Sequence, residues 1–348
     1  MMLNLSGSIN ISAVILRQNQ ANTPCAGIGG SIYTDRFPPV TNARLAFIDA
    51  RPVNCAQFNQ AGVPEALYPH AGQEELFSPC WEEYIYHARA ALSDCGSLAL
   101  SAPPAESADF RLLLDKIFGS ENFVRRLPIT ACPTGGVQEQ GVVYIYSKNK
   151  REFLDEQAAR KIKEQPEHLK PGQIEFYGQK PSGLTEEIIL GLSSPGDAVL
   201  DLTCGEKTAI WDAYKNGRRF AGAALNRSQA HILLMRLLDA GCPKLEMHGT
   251  PFPSREVVNL NMIQRPGGRE IYLDGYGNLC ACSSLKQNGL EQIDVWAVGR
   301  LKQNAFISER LALRRGPIIE SCLKTSREKD GAVYIADIYG REKIIALA

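Results

Sequence analysis

DAVLDLTCGEKTAIWDAYKNGRRFAGAAL, residues 197–225, is the stretch on which the fold turns. Ala198 to Leu202 is a short apolar run that reads as a buried strand. A tight turn follows, a helix runs on through Tyr214, and RFAGAAL (219–225) is the next strand. Strand, turn, helix and strand in that order imply a largely parallel sheet. Turns that lead from a strand into a helix often cradle a nucleotide-like ligand, and small residues let it approach. Here Glu206 and Lys207 stand where glycine would leave room.

Outward from this stretch the alternation continues. Leu184 to Leu192 forms an apolar helix before it, and NRSQAHILLMRLLDAG (226–241) another after it, with Asn226 or Ser228 as the cap. Further upstream, ARLAFIDARPVN (43–54) reads as a buried strand ending in a polar turn. SPCWEEYIYHARAAL (78–92) places Trp81, Ile85, Ala88 and Leu92 on one helical face. DCG (94–96) should stop that helix, and SLALSA (97–102) should be a short strand. SADFRLLLDKIFG (107–119) is a second amphipathic helix closed by Gly119, and GVVYIYSK (141–148) has the β-branched and aromatic content of a strand. From about Pro251 the chain changes to short β-like runs split by Gly, Asp and Asn, which implies a small all-β domain.

The 348 residues suffice for two domains. Lys+Arg and Asp+Glu both number 38, so any nucleic-acid contact has to come from a local patch. The ten Cys are scattered and read as reduced thiols of a cytoplasmic protein. Cys280 and Cys282 lack the second ligand pair of a zinc site, so no metal is expected. No apolar run has the length of a membrane span, and the start of the chain lacks the pattern of a signal peptide.

Several phrases in sequence resemble the bacterial amino-methylating DNA methyltransferases, which modify adenine N6 or cytosine N4. Ile117, Phe118, Gly119, Glu121, Asn122 and Phe123 reproduce a family phrase that follows a helix, strand and helix, and VVYIYSK (142–148) matches the strand after it. GQKPSGLTEEII (178–189), with Lys180 and Pro181, resembles the helix that opens the family's cofactor half. The tail phrases VWAVGR (295–300) and ADIYGRE (336–342) resemble a β-extension of some members. The resemblance implies a Rossmann-like methyltransferase fold of the α/β class, with the catalytic half before the cofactor half. It places a methyltransferase-like domain at 1–250, comprising a catalytic-half remnant to about 148, a short insertion at 149–173 and a cofactor-half remnant at 174–250. The β domain would occupy 251–348.

The resemblance also marks three places where the family does its chemistry. In the glycine turn that meets S-adenosylmethionine, this chain keeps Asp201, Cys204, Gly205 and Thr208, has Thr203 in the aromatic slot, and loses room at Glu206 and Lys207. At the end of the next strand, where the family has an acid for the ribose hydroxyls, Ala224 stands instead. The catalytic Asp-Pro-Pro-aromatic phrase has its counterpart in IDARPVN, with Asp49 and Pro52 surviving and Arg51 inserted. TDRFPPV (34–40) is a rival counterpart with Asp35, Phe37, Pro38 and Pro39 in scrambled order.

These departures imply an inactive relative with no cofactor, acting as a DNA- or partner-binding subunit. The family context implies other protein subunits as partners, among them an active methyltransferase-like chain in a restriction-modification or phage-defence assembly. The alternative is an active adenine-N6 or cytosine-N4 enzyme that binds S-adenosylmethionine with divergent motifs. Arg125, Arg126, Lys148, Lys150 and Arg151 are the first candidates for DNA phosphates, with Arg218 and Arg219 behind them.

Overall fold

The computed structural model describes residues 12–18, 28–50, 80–131, 138–163, 175–176, 183–204, 209–224, 226–250, 253–277, 289–316, 318–326 and 331–347. Contacts group the chain into two compact units, Phe37–Ala223 and Met1–Arg36 with Ala224–Ala348. The division falls elsewhere than the expected boundary at 250.

In chain order the elements begin with strands β1 (Ala13–Arg17) and β2 (Gly30–Tyr33), which belong to the second unit. The Phe37–Ala223 unit opens with β3 (Ala43–Asp49), buried along most of its length as its apolar run requires. Helix α1 (Trp81–Ala91) buries Ile85 and Ala88, with Trp81 packed against the same core. It ends without a glycine cap. Leu92 is already extended, and strand β4 (Leu92–Ala102) starts there, so DCG lies inside the strand. Gly96 serves close approach instead: a Cβ there would come within 2.8 Å of the Ala43 carbonyl oxygen. Helix α2 (Ser107–Phe118) does end at Gly119, at φ 90°.

Strands β5 (Phe123–Ala131) and β6 (Gln138–Ser147) pair antiparallel. Then come α3 (Lys150–Lys163), the short β7 (Glu175–Phe176), α4 (Leu184–Leu192), β8 (Ala198–Cys204), α5 (Ala209–Lys215) and β9 (Arg219–Ala224). The strand order is β9-β8-β3-β4-β6-β5-β7. Strands β8, β3 and β4 run parallel. The sheet is mixed rather than mostly parallel beyond them, because β6 pairs antiparallel with both β4 and β5. Ile48, Leu98, Leu100, Leu114, Tyr146 and Leu200 lie at the centre of its core. Burying each such aliphatic side chain contributes roughly 1.5–3 kcal/mol.

Two buried arginines fasten helix ends in this unit. Arg44 donates Nε to the Leu192 carbonyl (3.3 Å) and Nη1 to that of Cys95 (2.8 Å). Arg218 donates Nη2 to the Ser193 carbonyl (2.6 Å) and Nη1 to that of Asn216 (2.6 Å). Apart from that of Cys95, which lies on β4, these are carbonyls that a helix end leaves without intrahelical partners.

In the other unit, helix α6 (Arg227–Asp239) is capped by Asn226, whose side chain accepts the Gln229 amide at 2.9 Å. Strand β10 (Lys244–His248) runs parallel to β2 and antiparallel to β1. After it come β11 (Val257–Arg265), β12 (Gly268–Gly277), β13 (Ile293–Lys302), β14 (Ala305–Leu313), β15 (Cys322–Thr325), β16 (Gly331–Asp337) and β17 (Glu342–Ala346). No α-helix occurs among the described residues beyond 250, in line with the β texture of the sequence. One sheet has the order β17-β16-β13-β14-β1-β10-β2, and β11-β12-β15 form a second, three-stranded sheet. Trp296, Val298, Ile271, Leu273 and Val333 fill the core of this region. Buried Asp337 is matched by the Tyr276 hydroxyl (2.9 Å) and Arg341 Nε (2.7 Å), and Glu342 by Tyr334 and Arg227.

Among the described residues no helix is long and apolar enough to cross a membrane. No cluster of His, Cys, Asp and Glu among them is arranged to hold a metal.

Candidate functional site

The parallel strands β8 and β3 lie side by side at the point where the topology divides. From β8 the chain passes through α5 to β9 on one side, and from β3 through α1 to β4 on the other. In open α/β sheets the crevice beyond the carboxyl ends of two such strands is where ligands bind, because the outgoing loops part there. The ladder between them pairs Leu45 with Val199, Ala46 with Leu200 and Phe47 with Asp201, and then stops.

Beyond the ladder a side chain takes over. Thr203 Oγ1 accepts the backbone N–H of Asp49 at 2.8 Å. The same hydroxyl lies 3.4 Å from Asp201 Oδ1, to which it donates. Asp201 Oδ1 also accepts the Thr203 amide at 3.0 Å, and Oδ2 the Ala209 amide at 2.9 Å. Asp201 is only 4% exposed, so these bonds supply much of what its burial requires. It thereby satisfies the first turn of α5, as a capping carboxylate does. One hydroxyl and one carboxylate join the ends of β3 and β8 to the start of α5. Thr203 stands out in the sequence only as a lost aromatic. A hydroxyl two residues after an Asp is a local hint, but its bond to Asp49 spans 154 positions of chain.

The neighbouring positions are tightly packed. Cys204 is fully buried, and burial first, with the Asp201 charge second, pushes its thiol well above the usual range. It is an inert core thiol. A Cβ on Gly222 would collide with Ile210 Cδ1 and lie 2.7 Å from Cys204 Sγ. Ala223 and Ala224, at the end of β9, are each 7% exposed.

Asp49 ends β3 at the carboxyl edge, opposite Ser101 of β4. The rival stretch precedes β3 instead. Asp35 accepts the Thr250 amide at 3.1 Å, while Phe37 stacks on His87 with centroids 4.5 Å apart. Arg51, Pro52, Lys180, Pro181, Gly205, Glu206, Lys207 and Thr208 lie outside the described residues.

The basic candidates lie away from this crevice. Asp49 faces Ser101, whereas Ser147 faces Ser97, and the Lys148 amide reaches the Gly96 carbonyl at 2.9 Å. Five residues along a strand are about 17 Å, so Lys148 stands at the opposite edge of the sheet from Asp49. Its Nζ donates to the Leu92 carbonyl at 2.6 Å and lies 3.6 Å from Asp94, which ties it to the junction of α1 and β4. The Lys150 amide is held by Asn122 (2.9 Å) and that of Arg151 by Asn149 (3.1 Å) at the start of α3. Arg125 and Arg126 stand on β5 across from Ile145 and Tyr144. Arg218 is 4% exposed and committed to carbonyls, so it is a structural residue and not a phosphate ligand. Arg219 donates Nε to the Gly196 carbonyl at 2.9 Å.

No protein-family model matches the chain, and no curated protein matches it. Solved structures do. TTHA0409 of Thermus thermophilus, assigned as a DNA modification methylase, is 19% identical with a TM-score of 0.42, over 63% of this chain and 100% of that one. The PvuII cytosine-N4-specific DNA methyltransferase is 13% identical with a TM-score of 0.39, over 61% and 87%. M1.HpyAVI is 15% identical with a TM-score of 0.39, over 60% and 98%. DNA methyltransferases are among its structural neighbours.

Proposed function

We propose that the chain is a methyltransferase-like protein, catalytic half first, that has given up the methyl-donor site and works as a binding subunit. The phrases shared with the amino-methylating DNA methyltransferases support the ancestry. The order β9-β8-β3-β4-β6-β5, with β3 to β6 ahead of β8 and β9 in the chain, is compatible with it.

The observation that carries the loss of the donor site is the Thr203 bridge. In this reading the crevice that would receive S-adenosylmethionine is tied shut by the bond from Thr203 to Asp49. The residues present do not fit that cofactor. Strand β9 ends in two buried alanines, where a carboxylate would have to accept the ribose hydroxyls. Each hydrogen bond to a charged group is worth about 1.5–3 kcal/mol, so losing two weakens binding about a hundredfold or more. Asp201 is already engaged with the amides of Thr203 and Ala209.

Its work is to hold DNA or a second protein subunit in an assembly whose chemistry lies elsewhere. Titration calorimetry with S-adenosylmethionine tests the reading, and no heat of binding is expected. Micromolar binding, together with transfer of a labelled methyl group to DNA, would return the chain to the active enzymes.

A further inference from the structure

The unit formed by residues 1–36 and 224–348 carries a second surface. Strands β13, β14, β1, β10 and β2 are consecutive in one sheet, and their registers define which side chains share a face. Val14, Leu16, Ile32, Leu245 and Met247 point to one side and are buried. The other side holds half-exposed Ile15 and Ile307, aligned with each other, and small Ala13 beside Ala305.

Cations frame this face. Arg300 is in register with Ile307, and Lys302 with Ala305. Arg17 follows Ile15 by two positions and so lies on the same side. Arg17 and Lys302 are exposed and Arg300 is half-exposed. None of the three has a carboxylate partner among the described residues. The acid on this face, Glu246, is already matched: Lys244 lies at 2.5 Å and His248 at 3.1 Å. Glu309, further along β14, accepts from the Thr325 hydroxyl at 2.7 Å.

We infer that this sheet face binds nucleic acid through its phosphates, with Arg17, Arg300 and Lys302 as the contacts. The inference rests on the reading of the chain as a binding subunit and names its ligand. Charge complementarity is the ground for the choice. Three cations without counter-ions among the described residues stand on β1 and β13, the two strands that flank β14, about 7–16 Å apart by residue rise and strand spacing, and the small alanines in register with Lys302 let a polyanion come close. A chain of zero formal charge binds such a ligand only through a local excess of this kind. The contacts are to phosphate, so binding is expected to be salt-sensitive and indifferent to sequence.

The test is fluorescence anisotropy of the full chain with a labelled short DNA duplex and the corresponding single strand, at about 50 and 200 mM salt. The triple variant Arg17→Glu, Arg300→Glu, Lys302→Glu should lose at least about tenfold in affinity, and its salt slope should fall by nearly three. The pair Lys150→Glu, Arg151→Glu on the other unit should bind as the parent does. Circular dichroism checks folding, and the neutral triple Arg17→Gln, Arg300→Gln, Lys302→Gln reads the same loss if charge reversal unfolds the chain. A parent chain that binds neither DNA overturns the proposal. So does a triple variant with parental affinity, or loss confined to the Lys150 and Arg151 pair. None of these outcomes bears on donor binding, which the calorimetry decides separately.

Discussion

Asp49 and Thr203 meet across the ends of two parallel strands, where the Asp49 amide donates to the Thr203 hydroxyl at 2.8 Å. The bond stands at the divide of the topology, where an α/β sheet ordinarily opens for a ligand. Thr203 also reaches Asp201, so one small side chain substitutes for a stretch of missing ladder.

Replacing that hydroxyl by a methyl group of the same shape isolates its contribution. Thr203→Val leaves the Asp49 amide without its acceptor, and a buried donor left unpaired costs about 1–3 kcal/mol. Urea denaturation should show a loss of that size, with Thr203→Ser close to the parent. Parental stability in Thr203→Val would deny the bridge any structural weight.

Asp201 should be more sensitive. Its two oxygens receive the Thr203 and Ala209 amides in a nearly dry setting. Asp201→Ala removes a cap and strands both donors, with an expected loss of about 2–4 kcal/mol. Hydrogen exchange should place the loosening at the first turn of α5. Uniform faster exchange across the unit would point to global destabilisation instead.

Gly222 lies on β9 two residues before Ala224, and its neighbours are Ile210 and Cys204. Gly222→Ala forces a methyl group into that contact and should cost about 1–3 kcal/mol by overpacking. Reducing the neighbour in the same molecule, with Ile210→Val, should recover part of the loss. An additive double mutant would mean that the two side chains do not compete for space.

Glu246 gives the pH dependence. Its hydrogen bond from His248, and after that Lys244, hold its carboxyl down at about 2. The folded value lies below the ordinary one near 4.5, so the pair's stabilisation is complete above that ordinary value. It declines as pH falls and is gone once pH passes below about 2. Glu246→Gln should therefore be less stable than the parent at neutral pH, and the gap should narrow as the solution approaches about pH 2–3. A gap that stays constant with pH would remove the charge from the account.

The amino-acid sequence by itself determined the order and type of most elements. The stripe of Trp81, Ile85 and Ala88, the positive-φ Gly119 and the Asn226 cap are written in residues a few positions apart, and the structure has each where the pattern puts it. It also determined that Ala224 stands at the end of β9, because the strand and its last residue are local facts. Gly96 misleads when read locally, since the reason for it is the Ala43 carbonyl of another strand.

Only the tertiary structure decided the rest. That Arg218 is buried, that Lys148 serves the α1–β4 junction at the far edge from Asp49, and that Thr203 ties Asp49 to Asp201 all depend on strand order and register. Register is set by pairings between residues remote in the chain. No short-range periodicity records which of two polar side chains those pairings will bring within hydrogen-bonding distance.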